Sequence, residues 1–98
     1  LHGEAISLGL VAACGISVKK AGLPTEHREK VVSILQHFDL PTRLPKHLSH
    51  EKILAAVQRD KKFESGQVRF VVTPQLGSAR LATDISIDDI REAIAGLF

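Results

Sequence analysis

HGEAISLGLVAACGISVKKAG (residues 2–22) holds no proline, is rich in strong helix formers and ends on a glycine, so it predicts a helix from His2 to Ala21. Its apolar residues form no single stripe. Leu1, Ala5, Ile6, Leu8, Leu10, Val11, Ala12, Ala13, Cys14, Ile16 and Val18 point in every direction of the helical wheel. A helix apolar all round is one buried all round, and a 98-residue domain rarely encloses a helix completely. Gly3, Ala5, Gly9, Ala12, Ala13 and Gly15 let neighbouring backbones come close, at up to about 1 kcal/mol per Gly in helix propensity. The helix is therefore expected to sit inside a larger body. The count of Met is zero, so the chain is expected to be the C-terminal part of a longer protein.

Membrane readings of this stretch fail on length and charge. The uncharged run from Ala5 to Val18 falls short of the ~20 residues that span a bilayer. Val11-Ala12-Ala13-Cys14 has the small-residue pattern of a lipoprotein cleavage site, but such a signal needs a basic start, and Leu1-His2-Gly3-Glu4 carries an acid. Cys14 is read as a small buried hydrophobe, and as the single cysteine it forms no internal disulfide.

Outward from this helix, Leu23-Pro24-Thr25 reads as a loop with Thr25 as N-cap of a second helix running to about Phe38. Val31, Val32, Leu35 and Phe38 make its inner face, while Glu26, Arg28, Glu29 and Lys30 face water. Two prolines make Leu40 to Pro45 extended or turned. Ser49 is placed to cap a third helix, about His50 to Arg59, carrying Ile53, Leu54 and Val57 inward. Val68 to Thr73 reads as a strand stopped by Pro74, and Ala79 to Thr83 as its partner after Gly77. Such a ribbon is marginal alone and must pack on helices. Ser86-Ile87-Asp88-Asp89 opens the last helix, with Ile87, Ile90, Ile94 and Leu97 as its buried stripe. The fold class is mainly α with a small two-stranded β-ribbon near the C-terminus, without internal repeat or flexible linker. Apolar residues at 44% and charged residues at 24% exclude disorder and low complexity. A net charge of +2 is too even to predict nucleic acid or an acidic membrane as partner.

Five histidines are the first candidates for chemistry. His47 and His50 straddle the Ser49 cap and read as solvated loop residues, and His27 and His37 are given no role. His2 stands at the mouth of the apolar helix, with Gly3 leaving room beside it and Glu4 able to orient an imidazole. Two readings stay open: a polar residue closing the helix end, or one ligand of a zinc site whose other ligands come from elsewhere. Asp60-Lys61-Lys62 likewise reads either as a solvated cluster at a helix end or as a site for phosphate or carboxylate. No nucleophile with an adjacent base, P-loop or dinucleotide fingerprint is present, and no catalytic residue is identifiable.

His2-Gly3-Glu4-Ala5-Ile6-Ser7-Leu8-Gly9-Leu10-Val11 resembles the segment that opens the C-terminal helical domain of the 3-dehydroquinate synthase family. Agreement continues through Gly22-Leu23, Leu40-Pro41-Thr42, Arg59-Asp60-Lys61-Lys62, Gly66, Arg69-Phe70-Val71-Val72 and Leu76-Gly77-Ser78-Ala79, over essentially all 98 residues. The resemblance implies that residues 1–98 are the helical metal- and substrate-binding domain of a two-domain cytoplasmic enzyme, commonly a homodimer, whose NAD-binding α/β domain lies upstream. The family is a lyase of the shikimate pathway. It converts 3-deoxy-D-arabino-heptulosonate 7-phosphate into 3-dehydroquinate and phosphate, with NAD returned unchanged and a divalent ion, usually zinc and alternatively cobalt, as Lewis acid. His2 falls where the family has its last zinc ligand, and Lys61 where it has a lysine contacting an anionic group of the substrate. Glu4 and Lys62 belong to the same motifs without an assigned contact, and no cofactor-binding residue is assigned in this chain. Ile6-Ser7 departs from the small or branched apolar residues usual there.

The resemblance thus implies a part that is inactive alone, since NAD and most of the metal site belong upstream. Related sugar-phosphate cyclases, the 2-deoxy-scyllo-inosose and 2-epi-5-epi-valiolone synthases, share the His-Gly-Glu segment and remain alternatives. A non-catalytic helical binding module is a third.

Overall fold

In a computed structural model that describes residues 2–58 and 70–98, with the side chains of Val57 and Gln58 left aside, α1 (His2–Lys20) is the axis on which the other elements rest. It packs against α2 (Thr25–His37), the hairpin strand β1 (Phe70–Gln75) and the last helix, α4 (Ile87–Ala95); α3 (His50–Gln58) lies on α4. β2 (Ser78–Ala82) pairs antiparallel with β1, completing a mainly α architecture with one two-stranded ribbon. No helix of the described residues is long and apolar enough to cross a membrane.

α1 contributes to two apolar clusters. Near its C-terminal end Ile16 joins Leu54, Val72, Ala82, Ile85, Ile90 and Ile94. Near its middle Val11 meets Leu35 and Leu97, with Val31, Val32, Leu40 and Leu44 around them. Burial is not complete around the helix: Val11, Cys14 and Ile16 are buried, but Ile6 and Leu10, one turn apart, are about half exposed. Gly22, at φ 77, turns the chain out of α1, as its position just past the helix led one to expect.

At the starts of α3 and α4 the capping signals of the sequence are met. The Ser49 hydroxyl accepts the Lys52 N–H at 3.3 Å at the start of α3. Ser86 Oγ accepts the Asp89 N–H and Asp89 Oδ2 accepts the Ser86 N–H, a reciprocal capping box at α4. Ile90, Ile94 and Leu97 are buried beneath it.

Three expectations are corrected. Thr25 is the first helical residue of α2, and Pro24 stands at the cap, its carbonyl accepting the His27 N–H at 2.9 Å. Phe38 is 68% exposed and outside the core. α2 ends at His37, and Asp39 at φ 57 reverses the chain, with Leu40 N–H donating to Leu35 O and Asp39 N–H to Gln36 O. That double bond pattern closes the helix and gives the inward position to Leu40. Finally, β1 runs through Pro74. The register pairs Val72 with Arg80 and then Gln75 with Ser78, so Thr73 and Pro74 lie in an irregular stretch where the missing N–H of proline costs no ladder bond.

That stretch is also where the hairpin docks. The Thr73 N–H donates to Ser17 Oγ of α1 at 3.0 Å, while Ser17 itself donates to Ala13 O at 2.8 Å. Ser17 is fully buried, and both of its bonds are made inside the core. Val72 beside it is 1% exposed, a burial that contributes roughly 1.5–3 kcal/mol.

Candidate functional site at the first turn of α1

The first described turn of α1 starts at His2. His2, Gly3 and Glu4 occupy this turn, and all three are exposed. Glu4 is the acidic residue of this turn. His2 offers an accessible imidazole on a rigid element, which is what a metal ligand requires. Among the described residues no three of His, Cys, Asp and Glu are grouped so as to hold a metal. An imidazole is an ordinary zinc donor, so the chemistry of His2 alone would suit a single ligand.

The other histidines have varied surroundings. His50, at the start of α3, stacks on the Phe98 ring with centroids 3.9 Å apart, and His37 meets Phe38 edge-on. His47 is exposed and His27 half-buried. Cys14 is buried, and burial pushes its thiol pKa up against the opposing charge of Arg28, so it is a protonated core residue. Lys61, with Asp60 and Lys62, lies outside the described residues.

A groove of about 270 Å³ opens between α1, the start of α2 and α4, lined by Val11, Lys19, Thr25, Arg28, Asp89 and Glu92 among others. It starts nine residues along α1 from His2, about 14 Å of helix rise, and its charges serve the fold. Lys19 Nζ lies 2.6 Å from Glu92 Oε2 and 3.0 Å from Asp89 Oδ1. Hydrogen bonding to Glu92 and then Asp89 raises the Lys19 pKa. The Ser86 N–H, ahead of Lys19, holds the Asp89 carboxyl at about 2. This cluster ties the end of α1 to the start of α4.

Sequence reading noted Ser7 but missed its contact. Its hydroxyl donates to the Pro41 carbonyl at 2.6 Å, joining α1 to the proline-containing segment after α2. A polar residue does interrupt the apolar run of α1 there. Its partner is 34 positions away, beyond the reach of periodicity.

Comparison with known proteins gives a consistent result. Residues 1–63 match the family model described as 3-dehydroquinate synthase C-terminal. The chain is 36% identical over 96 residues to the 3-dehydroquinate synthase of Nostoc punctiforme, covering 98% of this chain and 26% of that protein. It is 36% identical over 94 residues to that of Vibrio atlanticus and 38% identical over 94 residues to that of Bordetella pertussis, in both cases covering 96% of this chain and 26% of the relative. The chain thus spans about a quarter of the length of the curated relatives it matches.

Proposed function

The chain belongs to the 3-dehydroquinate synthase C-terminal family, and from that premise we propose that it forms the helical, metal- and substrate-facing part of an enzyme making 3-dehydroquinate and phosphate from 3-deoxy-D-arabino-heptulosonate 7-phosphate. The observation that carries the reading is the family match over residues 1–63, which contains both the His2-Gly3-Glu4 turn and the Asp60-Lys61-Lys62 motif.

In this reading His2 gives a ring nitrogen lone pair to a divalent cation, with the remaining ligands supplied by other residues of the intact protein. Zinc, or cobalt in its place, supplies Lewis-acid polarisation of a substrate hydroxyl, and NAD supplies a reversible hydride acceptor. α1 carries His2 at its first described turn, and Lys19 ties the far end of that helix to α4. Glu4 adds negative charge to the same turn, favouring a bound cation. Lys61 is proposed to meet an anionic group of the substrate as a point charge. An upstream NAD-binding domain, a homodimeric assembly and a cytoplasmic location belong to the same proposal.

The test is phosphate release by the intact protein from 3-deoxy-D-arabino-heptulosonate 7-phosphate with NAD and zinc. Turnover that disappears with a chelator is expected. No turnover in a protein that still binds zinc and NAD overturns the substrate and points to a sister cyclase acting on another sugar phosphate. For Lys61→Ala the reading predicts a raised KM with zinc content retained; an unchanged kcat/KM contradicts the anion contact.

A further inference from the structure

Along α1, His2 to Ile6 are all exposed, and Ser7, at 1% exposure, is the first buried residue. The anchor nearest the His2 turn is therefore the 2.6 Å hydrogen bond from Ser7 Oγ to the Pro41 carbonyl. A serine inside a helix commonly bonds back to the carbonyl four residues earlier, and Ser17 does so with Ala13. Ser7 instead reaches off the helix to a second segment. That segment is itself held on both sides of the acceptor: Leu40 N–H donates to Leu35 O at 2.9 Å, and Leu44 N–H to Leu97 O at 2.7 Å. The Leu40 and Leu44 side chains pack on the Val11–Leu35–Leu97 cluster.

Among the described residues, the other packing on this half of α1 is apolar, through Val11 and Ala12, and apolar contact is non-directional. It resists separation of two surfaces better than it resists rotation of a helix about its own axis. A hydrogen bond with a short donor–acceptor distance constrains direction as well. Ser7 lies five positions from His2, about 7.5 Å along the axis and roughly 140° around it. It grips the inner side of the helix while the imidazole projects outward. Side-chain tips sit about 5–6 Å from a helix axis, so a roll of about 10° moves the imidazole by about 1 Å. A functional constellation tolerates about 0.5 Å.

We propose that Ser7 is a positioning residue for His2: its hydrogen bond to Pro41 fixes the roll of α1 and so the direction in which the imidazole meets a divalent cation. This rests on His2 being a metal ligand, as proposed above.

The experiment measures zinc affinity of the metal-stripped intact protein by competition with a chromophoric chelator, and the visible absorption of its cobalt form, for wild type, Ser7→Ala, Ser7→Cys, Ser17→Ala and His2→Ala. Ser7→Ala is expected to weaken zinc binding on the order of 10-fold or more and to shift the cobalt bands. Ser7→Cys, which keeps the volume and a weak donor, is expected to fall between wild type and Ser7→Ala, and it carries the test if Ser7→Ala does not fold. Ser17→Ala removes the other buried hydroxyl of the same helix and is expected to change neither readout. Equal weakening by Ser7→Ala and Ser17→Ala overturns the proposal, because loss of stability then accounts for both. Wild-type affinity and spectrum in the Ser7 variants, with binding lost in His2→Ala, overturns it while leaving His2 as a ligand. Unchanged affinity in His2→Ala overturns the ligand reading and this proposal with it.

Discussion

Asp39 is the non-glycine residue that adopts a positive φ among the described residues, at 57°, and it does so to let Leu40 turn back under α2. The left-handed region costs an L-residue with a Cβ roughly 1–2 kcal/mol, with Asp and Asn among the more tolerant. Asp39→Gly removes that strain and gains freedom in the unfolded chain, so the net stabilisation is expected to be up to about 1 kcal/mol. A rise in the urea midpoint with unchanged slope checks this; a fall would show that the Asp39 carboxylate contributes more than its backbone strain costs. The same residue explains why Phe38 misled. Its spacing from Val31 and Leu35 fits an inner face, but a periodic pattern contains no signal for where a helix stops, and α2 stops one residue before it. Ser7 and Ser17 were illegible for a different reason: their partners outside the helix lie 34 and 56 positions away. For His2 the helix pattern gave its place at the start of α1 and nothing more, since a ligand role depends on residues outside this chain.

Among elements, α4 shows the strongest agreement between sequence and structure, since Ser86, Asp89 and the Ile90–Ile94–Leu97 stripe interact within a few residues of one another. β1 shows the weakest, because the pairing of Val72 with Arg80 and of Gln75 with Ser78 leaves room for Pro74 in a strand whose local sequence forbids it. Asp89 joins α4 to α1, receiving the Ser86 N–H and lying 3.0 Å from Lys19 and 3.7 Å from Lys20. Its pKa falls from 3.8 to about 2 on folding, so its charged form is favoured in the native state. The contribution is complete above about pH 4 and is lost as pH falls through the folded value. Chemical denaturation of wild type and Asp89→Asn is expected to show a stability difference at neutral pH that narrows from pH 4 and vanishes toward pH 2. A difference constant across that window would mean that the carboxylate charge plays no part in the cap.

At the scale of the whole chain, α1 serves as the axis, and its two ends differ. The C-terminal end is enclosed by the hairpin and α4, while the first turn and the Ile6–Leu10 flank remain open. Together with Ile34, Phe38, Val71 and Leu81, the chain exposes more large apolar side chains than 98 residues in isolation favour. Expressed alone, these 98 residues are expected to bind a hydrophobic dye and self-associate; a dye-silent monomer with a cooperative transition contradicts this. The openness fits a chain that spans about a quarter of its curated relatives. It also places the first turn of α1, with His2, where other residues can reach it.

The most direct measurement titrates zinc into the metal-stripped intact protein, wild type and His2→Ala, and follows phosphate release from 3-deoxy-D-arabino-heptulosonate 7-phosphate at saturating NAD. With His2 as a ligand, the zinc concentration for half-maximal rate rises on the order of 10-fold or more in the variant. Superimposable titration curves with equal maximal rates would contradict the account and leave the turn at His2 as a helix end without a role in the chemistry.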